Sequence, residues 1–370
     1  MAEFDVCVRG AGAVGLSAAL ALARQGLRVA LQTGAAPAPS RPDVRAYALN
    51  AASVALLASL KVWDALPADA RTAVHDMHIE GDALGASLDF SAWSQGVEAL
   101  AWIVDTAELE TALFAAARFA AHLTLTTATE VDASLQVLAD GKASAARTQL
   151  GVRMPLQSYG QQALAARLLS EHAHGGLARQ WFRSPDVLAL LPLDRPQAGH
   201  GYALVWSLPD ERAQALLALP PAQFEAALND ASGGAAGTLR LASERAAWPL
   251  ALGRAETVCG PGWVLIGDAA HVVHPLAGQG LNLGLGDVTA LAEVLAARES
   301  WRSPGDMRLL QRYARRRAAP VLAMGQLTDG LLQLFASQQP LLKELRNRGL
   351  GLLNQMPPVK RFLAARALDA

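Results

Sequence analysis

Cysteine is scarce in this chain of 370 residues, which contains only Cys7 and Cys259. One lies in the first predicted strand and the other far along the sequence, so the sequence suggests neither a disulfide framework nor a zinc site. We therefore expect no metal site, and a reducing cytoplasmic location fits this cysteine content best.

Long hydrophobic runs and blocks of like charge are also missing. The longest apolar run, residues 10–23, is shorter than the roughly 20 residues that cross a bilayer. The formal net charge is −1 and no basic block occurs, so we expect no nucleic-acid binding. The first predicted strand begins within a few residues of Met1, and we therefore expect no cleavable signal peptide.

The composition is that of a globular protein, since 52% of the residues are hydrophobic. A chain of this length buries a large core and suits two intimately joined domains better than two independent ones. Between about residues 150 and 250 the pattern changes from alanine-rich helices to extended segments. Two of these, residues 188–193 and 202–207, predict strands of a sheet.

The most informative segment runs from Gly267 to Asn282 and reads GDAAHVVHPLAGQGLN. Residues 263–266 before it predict a short buried strand, and Asp268 stands where that strand must turn. A carboxylate at this place accepts hydrogen bonds from sugar or ribityl hydroxyls. Gly278 and Gly280 let backbone N–H groups approach a ligand, and the helix that they open directs its positive end towards it. The segment therefore predicts a flavin site.

A glycine-rich turn lies near the N-terminus. Residues 6–9 predict a strand that runs directly into Gly10, Gly12 and Gly15, and a helix rich in alanine and leucine follows to about Arg24. In such a motif the first glycine permits the tight turn, the second lets the backbone approach a pyrophosphate, and the third allows close packing of helix on strand. The sequence thus predicts an ADP-binding turn.

Gln32 departs from this pattern. It follows the second predicted strand, residues 27–31, where such sites carry a carboxylate for the adenosine ribose. An amide still bonds a ribose hydroxyl but forgoes a charge-assisted bond, at a cost on the order of 1 kcal/mol of cofactor affinity.

A third motif lies between these two. Residues 139–147 contain Asp140 and Gly141 followed by Ser144 and Arg147, in the spacing Asp-Gly-x-x-Ser-x-x-Arg. An isolated Asp-Gly pair predicts only a turn. Its position between the glycine-rich turn and the Gly267–Asn282 segment favours a part in the same site.

These three motifs, in this order, resemble those of the FAD-dependent aromatic hydroxylases, the single-component flavoprotein monooxygenases, and in particular their ubiquinone-biosynthesis branch. The resemblance covers nearly the whole chain. It implies an α/β fold with a Rossmann-like FAD-binding domain interleaved with a mixed β-sheet substrate domain and followed by a helical C-terminal region. The corresponding ranges are 1–150 with 251–305, then 151–250, then 306–370.

The resemblance also implies which residues bind the cofactor. In the segment after residue 42, an arginine that lies along the flavin matches Arg45. The expected FAD contacts are Gly10, Gly12, Ala13, Gly15, Gln32, Arg45, Asp140, Gly267, Asp268, Pro275, Gly278, Gln279, Gly280, Leu281 and Asn282.

The implied chemistry belongs to the cofactor. FAD, reduced by NADH or NADPH or by a protein electron donor, reacts with O2 to give a C4a-hydroperoxide, which an electron-rich phenol attacks. The protein must exclude water, so the wall that faces the ring from residue 275 to residue 280 matters more than any acid or base. His274 and Pro275 are the catalytic candidates on this wall. His271 and His274 are equally well explained as turn histidines bonded to backbone.

The implied substrate is a polyprenylated phenol or quinone precursor in ubiquinone biosynthesis. The last residues of the chain alternate leucines with lysines and arginines, which fits peripheral contact with the inner membrane or a biosynthetic complex as well as it fits packing on the catalytic body. Two alternatives stay open: a hydroxylase of a soluble phenol, and a flavin-binding accessory subunit with little chemistry of its own.

Two further features bear on the site. Between Glu108 and Asp140 the family has room for additional strands, whereas this chain runs almost directly between short strand-like segments, so a small sheet is expected to be trimmed there. Tyr159, Trp206 and Trp248 fit core packing at least as well as contact with the substrate.

Overall fold

The structure is a computed structural model that describes residues 2–34, 43–81, 86–273 and 279–336. Its strands are β1 (Phe4–Arg9), β2 (Val29–Gln32), β3 (Ala46–Leu49), β4 (Arg71–Val74), β5 (Asp76–Glu80), β6 (Ser87–Ser91), β7 (Ala101–Asp105), β8 (Leu123–Thr126), β9 (Ala133–Leu138), β10 (Leu156–Ser170), β11 (Leu177–Arg183), β12 (Asp186–Pro192), β13 (Gly201–Pro209), β14 (Leu239–Leu241), β15 (Ala246–Arg254), β16 (Cys259–Gly260), β17 (Trp263–Leu265) and β18 (His271–Val272). Its helices are α1 (Ala13–Ala23), α2 (Ala51–Ser59), α3 (Ala92–Gln95), α4 (Thr106–Phe119), α5 (Ala145–Gln149), α6 (Asp210–Ala218), α7 (Pro221–Ser232), α8 (Gln279–Ala296) and α9 (Met307–Ala336).

A parallel sheet occupies the centre of the nucleotide-binding part. Its strand order is β16-β17-β9-β1-β2-β8, and all neighbours except β16 and β17 run parallel. The central strands are almost continuously apolar and buried, as expected for parallel strands covered on both faces. The strands predicted around residues 6–9, 27–31 and 263–266 all belong to this sheet.

Helices α1, α4, α8 and α9 contribute to the core of this sheet. Helix α1 is apolar nearly all round and almost every residue in it is buried, which explains why it lies under other helices rather than at the surface. Tyr313 of α9 is fully buried, and its hydroxyl donates to the carbonyl of Leu265 at 3.0 Å, so α9 is attached to the end of β17.

A larger, mixed sheet forms the second part of the molecule. Its order is β18-β15-β10-β13-β12-β11-β5-β6, with β14 also paired to β10. Along β13 the side chains alternate between the two faces, because Tyr202, Leu204 and Trp206 pack in the cluster under α6 and α7 while Ala203 and Val205 pack on the opposite side. The strands predicted at residues 188–193 and 202–207 are therefore confirmed, and Trp206 is a core residue.

The two parts are interleaved along the chain. A small antiparallel sheet, β3-β7-β4, packs against the large sheet, and β18 leaves the nucleotide-binding part to pair with β15. The predicted α/β fold class and its interleaved arrangement are confirmed. Strands β5 and β6 join the large sheet although they precede residue 150, and the division into domains stays a prediction.

Residues 127–132 connect β8 directly to β9 and contain no strand, as the short spacing before Asp140 predicted. Both cysteines are free and buried. Burial raises the pKa of the Cys7 thiol to about 11, so it stays protonated and unreactive at neutral pH.

Replacement of Gly15 by alanine should destabilise the fold. A Cβ atom at residue 15 would lie 1.9 Å from the carbonyl oxygen of Gly10, so the contact between α1 and the turn after β1 would have to open. We expect Gly15→Ala to lower the free energy of unfolding by about 1–3 kcal/mol in urea titrations. Gly12→Ala is the matched control, because no atom lies within 4 Å of the added carbon. An equal effect of the two substitutions would contradict this reading of the glycine turn.

Candidate functional site

The carboxyl ends of four neighbouring parallel strands form one edge of the central sheet. In the spatial order β2, β1, β9 and β17, these ends lead to Gln32, the Gly10–Gly12 turn, Asp140 and Asp268. Three motifs that are far apart in sequence thus meet side by side. Ligands of open α/β sheets bind at this kind of edge.

The glycine turn has the geometry that close approach of a ligand requires. Gly10 adopts φ +108°, and a Cβ on it would lie 2.4 Å from the carbonyl oxygen of Ala139, so only glycine fits there. Gly12 caps α1 with extended backbone and no side-chain hydrogen bond, and the space in front of it is open. Ala13 begins the helix and is buried. The first N–H groups of α1 therefore face open space across a bare backbone.

Asp140 lies beside this turn. Its Oδ2 accepts a long bond from the backbone N–H of Ala146 at 3.5 Å, whereas its Oδ1 is buried and has no partner among the described residues. A buried acceptor without a donor is costly, and a bound hydroxyl or N–H group would relieve that cost.

The turn after β17 is held by the middle motif. Arg147 is buried and donates from Nη1 to the carbonyl of Ala269 at 2.9 Å and from Nη2 to that of Lys142 at 3.0 Å. Gly267 adopts φ +59°, and Val14 of α1 packs against it. The glycine-rich turn, the Asp-Gly motif and the Gly267 turn are therefore in direct contact with one another.

Asp268 lies in the short turn that follows β17 at this edge. Solvent reaches its carboxylate, yet protein surrounds it, and this burial raises the pKa of Asp268 although His271, Lys142 and Arg45 oppose the rise. Lys142 and Arg45, which come from two other segments of the chain, therefore lie near enough to Asp268 to act on its charge.

The residues of α8 that were predicted to contact FAD lie in different environments. Among the described residues, no atom lies within 4 Å of a Cβ placed on Gly280. Leu281, in contrast, turns its side chain into the core. Asn282 is buried, donates from Nδ2 to the carbonyl of Ala48 at 2.8 Å, and accepts at Oδ1 from the backbone N–H of Asn50 at 3.0 Å. Its side chain therefore ties α8 to β3, and a cofactor contact from Asn282 is left to its backbone.

The hydrogen bonds of Gln32 explain why an amide occupies the position at which the usual pattern has a carboxylate. Its Nε2 donates to the carbonyls of Ala128 and Thr129 at 2.7 and 3.2 Å, and these residues belong to the short connection between β8 and β9. A carboxylate at residue 32 would face two carbonyl oxygens with no proton to offer. The amide and the trimmed connection thus fit each other, and Oε1 is the atom left to meet a ribose hydroxyl.

Arg45 directly precedes β3, a strand of the small antiparallel sheet. It makes a bidentate pair with Asp43, with Nη2 2.6 Å from Oδ2, and this bond raises the pKa of the arginine. Its guanidinium lies over two aromatic rings, those of Trp248 at 5.6 Å and Tyr47 at 5.9 Å. Trp248 is partly exposed, whereas the indole of Trp206 is fully buried. Tyr159 is half-buried beside a small core cluster.

Glu108 has a structural partner. Its Oε1 accepts from Nη1 of Arg195 at 2.7 Å. It therefore connects α4 to the loop after β12.

Several sequence predictions lie outside the described residues. These are His274, Pro275 and Gly278, together with the leucine- and arginine-rich end of the chain after residue 336. Gln279 begins α8. His271, by contrast, is buried, and its Nε2 lies 2.7 Å from Oδ2 of Asp287.

Asp287 was missed by sequence reasoning. It is the acidic residue of an otherwise apolar stretch of α8, and its carboxylate is completely buried against His271 and Arg317. A lone acid on the buried face of an amphipathic helix was the available signal.

The donor set at the sheet edge fits a flavin dinucleotide. A bare helix N-terminus faces the middle of the edge, an acceptor lies at each end, and the buried Oδ1 of Asp140 lacks a donor between them. The family described as "FAD binding domain" matches residues 3–137 and 120–328. The ubiquinone hydroxylase UbiL of Rhodospirillum rubrum is 31% identical over 98% of this chain and 89% of its own length. This chain belongs to the FAD-dependent aromatic hydroxylases.

A second relative supports the same assignment. The 3-demethoxyubiquinol 3-hydroxylase of Escherichia coli is 32% identical to this hydroxylase over 96% of both chains. FAD is the cofactor of this hydroxylase, and as a flavoprotein monooxygenase it belongs to a class that uses NAD(P)H and O2.

Solved structures agree in fold. PqsL of Pseudomonas aeruginosa, in complex with 2-aminobenzoylacetate, superposes with a TM-score of 0.76 over 94% of this hydroxylase and 99% of that chain, at 20% identity. HpxO of Klebsiella pneumoniae, complexed with FAD and uric acid, superposes with a TM-score of 0.72 over 97% of this hydroxylase and 96% of that chain, at 18% identity.

The substitution Gln32→Glu should destabilise the apoprotein. The new carboxylate would face the carbonyls of Ala128 and Thr129, which raises its folded pKa above the unfolded value. We expect a loss of about 1–3 kcal/mol near neutral pH, and this loss should shrink as the pH falls through the folded pKa, because the protonated acid regains a donor. Urea unfolding at several pH values measures it.

Gln25→Glu is the control for this experiment. Gln25 is exposed and donates to one carbonyl, that of Ala292, at 2.8 Å. If Gln32→Glu were no more destabilising than Gln25→Glu, the match between the amide and the trimmed connection would be wrong.

Asp268→Asn should separate stability from cofactor binding. Burial raises the folded pKa of Asp268, so the ionised carboxylate costs stability once the pH exceeds that pKa, and the cost vanishes below the unfolded pKa. We expect Asp268→Asn to raise the melting temperature of the apoprotein at neutral pH but not at acid pH. It should also weaken FAD binding by about tenfold, because an amide accepts hydroxyl donors less strongly than a carboxylate.

Thermal unfolding and flavin fluorescence titration measure these two effects. Asp64→Asn, at an exposed aspartate of the short 3-10 helix Trp63–Ala65, should change neither. A fall in apoprotein stability for Asp268→Asn would contradict this expectation, because it would show that the carboxylate stabilises the turn after β17 when FAD is not bound.

Proposed function

We propose that this hydroxylase adds a hydroxyl group to the aromatic ring of a polyprenylated phenol or quinone precursor of ubiquinone. The observation that carries the proposal is the extent of its similarity to the ubiquinone hydroxylase UbiL, which includes the large mixed sheet as well as the nucleotide-binding part. The 3-demethoxyubiquinol 3-hydroxylase adds a second relative of the same kind.

The residues of the sheet edge would hold FAD in an extended form. Oε1 of Gln32 would accept from the adenosine ribose, and the first N–H groups of α1 would meet the pyrophosphate beyond Gly12. Oδ1 of Asp140 and the carboxylate of Asp268 would accept from hydroxyls of the ribityl chain. When bound, FAD supplies the transfer of electrons from NAD(P)H to oxygen.

The protein's own task is to place and shield the substrate ring. Strand β18 continues from the Gly267 turn and pairs with β15, so the flavin-binding turn joins the large sheet directly. Trp248 on β15 and Tyr47 on β3 lie under the guanidinium of Arg45. Arg45 also acts on the charge of Asp268, so we place the aromatic substrate against these rings, near the turn after β17.

The electron donor and the cellular location complete the proposal. NADH or NADPH would reach FAD without a nucleotide-binding domain of its own, unless a protein donates the electrons.

Among the described residues, no helix has the length and apolarity to span a bilayer. We propose a cytoplasmic protein whose C-terminal residues touch the inner membrane or a ubiquinone-biosynthesis complex, in keeping with a lipid-soluble substrate.

Quinone analysis of a strain that lacks this protein tests the proposal. We expect a prenylated intermediate that lacks one ring hydroxyl to accumulate, and expression of the intact protein to remove it. Unchanged quinones in a strain without a redundant hydroxylase would contradict the prenylated substrate. Coupled consumption of NAD(P)H and O2 with small soluble phenols would then identify a soluble-phenol hydroxylase.

A variant of the glycine turn separates an enzyme from an accessory subunit. Aspartate is a good helix-capping residue, so Gly12→Asp should leave α1 intact while placing a negative charge where the pyrophosphate binds. We expect this variant to fold, to lose FAD and to fail to restore ubiquinone. Full restoration by Gly12→Asp would mean that the protein supports the pathway without its flavin.

A further inference from the structure

The buried carboxylate of Asp287 meets three partners from two separate segments, the turn from Gly267 to His271 and helix α9. Its Oδ2 accepts from the backbone N–H of Gly267 at 2.8 Å and lies 2.7 Å from Nε2 of His271. Its Oδ1 accepts from Nε of Arg317 at 2.6 Å. The side chain of Asp287 is 1% exposed and that of Arg317 is 14% exposed, so the carboxylate itself is shielded from solvent.

The two sides of the carboxylate face different parts of the molecule. One oxygen holds both ends of the turn that carries Asp268, since Gly267 precedes that residue and His271 follows it. The other oxygen is held by helix α9, which lies outside the sheet edge. Arg317 also donates from Nη2 to the carbonyl of Leu283 at 3.0 Å, which sets the angle at which its guanidinium meets Asp287.

Arg317 is the partner of Asp287 whose positive charge is permanent. An ionised carboxylate in this interior is stable only with a cation and a full set of donors. Burial acts to raise the pKa of Asp287, but His271, Arg317 and the N–H of Gly267 together hold that pKa below its usual range. Tyr313 also lies near, but its hydroxyl donates to the carbonyl of Leu265 and not to the carboxylate.

Gly286 of α8 leaves the space that the guanidinium of Arg317 occupies beside Asp287. A Cβ atom on Gly286 would lie 3.0 Å from Nη2 of Arg317, so a larger residue would press on the guanidinium. On the neighbouring turn of α8, Gly284 lies against both Val14 and Gly267, which brings the helix close to the flavin-binding turn.

We propose that Asp287 and Arg317 are positioning residues that set the Gly267–Asp268 turn for FAD, so that the affinity for the cofactor depends on helix α9. Neither side chain needs to touch FAD. Arg317 fixes Asp287, Asp287 fixes the backbone N–H of Gly267, and that bond fixes the direction in which the next carboxylate points. This coupling concerns the cofactor alone and does not depend on the identity of the aromatic substrate.

The test compares two neighbouring arginines of α9. Arg317→Met removes the partly buried partner of Asp287, whereas Arg316→Met removes an exposed ion pair between the same two helices, formed with Glu293 of α8. FAD dissociation constants are measured by flavin fluorescence at a temperature where circular dichroism shows both variants folded. We expect Arg317→Met to raise the constant by about tenfold or more, and Arg316→Met to leave it within about twofold of the unchanged protein.

Hydrogen exchange of the apoprotein provides a readout that needs no cofactor. In Arg317→Met the amide of Gly267 should exchange faster, because its acceptor is no longer held in place, while Arg316→Met should leave that amide protected. A purely structural role for Arg317 predicts a lower melting temperature for the variant with an unchanged FAD constant and unchanged protection at Gly267. That pattern would overturn the proposal.

Arg317→Lys guards against a failure of Arg317→Met to fold. Lysine keeps the charge beside Asp287 but lacks the planar fork that reaches both the carboxylate and the carbonyl of Leu283. We expect an intermediate FAD constant and intermediate exchange at Gly267, relative to Arg316→Lys as its control. Equal constants for the two lysine variants would contradict the proposal as clearly as the methionine result.

Discussion

The parallel pairing of β2, β1, β9 and β17 is the constraint on which the site depends. Each strand ends at the same edge, and these ends carry the four elements of the proposed FAD site: Gln32, the glycine turn, Asp140 and Asp268. Residues separated by more than half the chain become neighbours because backbone hydrogen bonds hold the four strands in register.

Side chains from one motif hold the backbone of another. Arg147 of the middle motif binds the carbonyl of Ala269, Asp287 of α8 binds the N–H of Gly267, and Asn282 binds the segment from Ala48 to Asn50. These contacts are buried, so their loss would leave unpaired polar groups in the interior. The described turns at this edge are thereby held in place by contacts within the protein.

The sequence predicted the parts of this site whose signals are local. Gly10, Gly12 and Gly15 follow a strand and open a helix within a few residues, and the apolar segment before Gly267 is a strand for the same local reason. The hydrogen bonds of the Gln32 side chain could not be predicted from the sequence, because their carbonyl acceptors lie 96 and 97 residues away. The same holds for Asn282, whose partner amide is 232 residues distant, and for the contact of Arg317 with Asp287 between two helices. The hydrogen-bond partners of these polar residues can be identified only in the folded chain, because they are distant in the sequence.

A structure of the protein with FAD bound would test whether these four elements hold the cofactor. We expect an extended cofactor with its adenosine ribose at Oε1 of Gln32, its pyrophosphate at the N-terminus of α1 beyond Gly12, and its ribityl hydroxyls at Asp140 and Asp268. We also expect the Gly267 N–H to stay bonded to Asp287 in that complex. A cofactor bound away from this edge, or an Asp140 Oδ1 that remains without a donor when FAD is bound, would contradict the account.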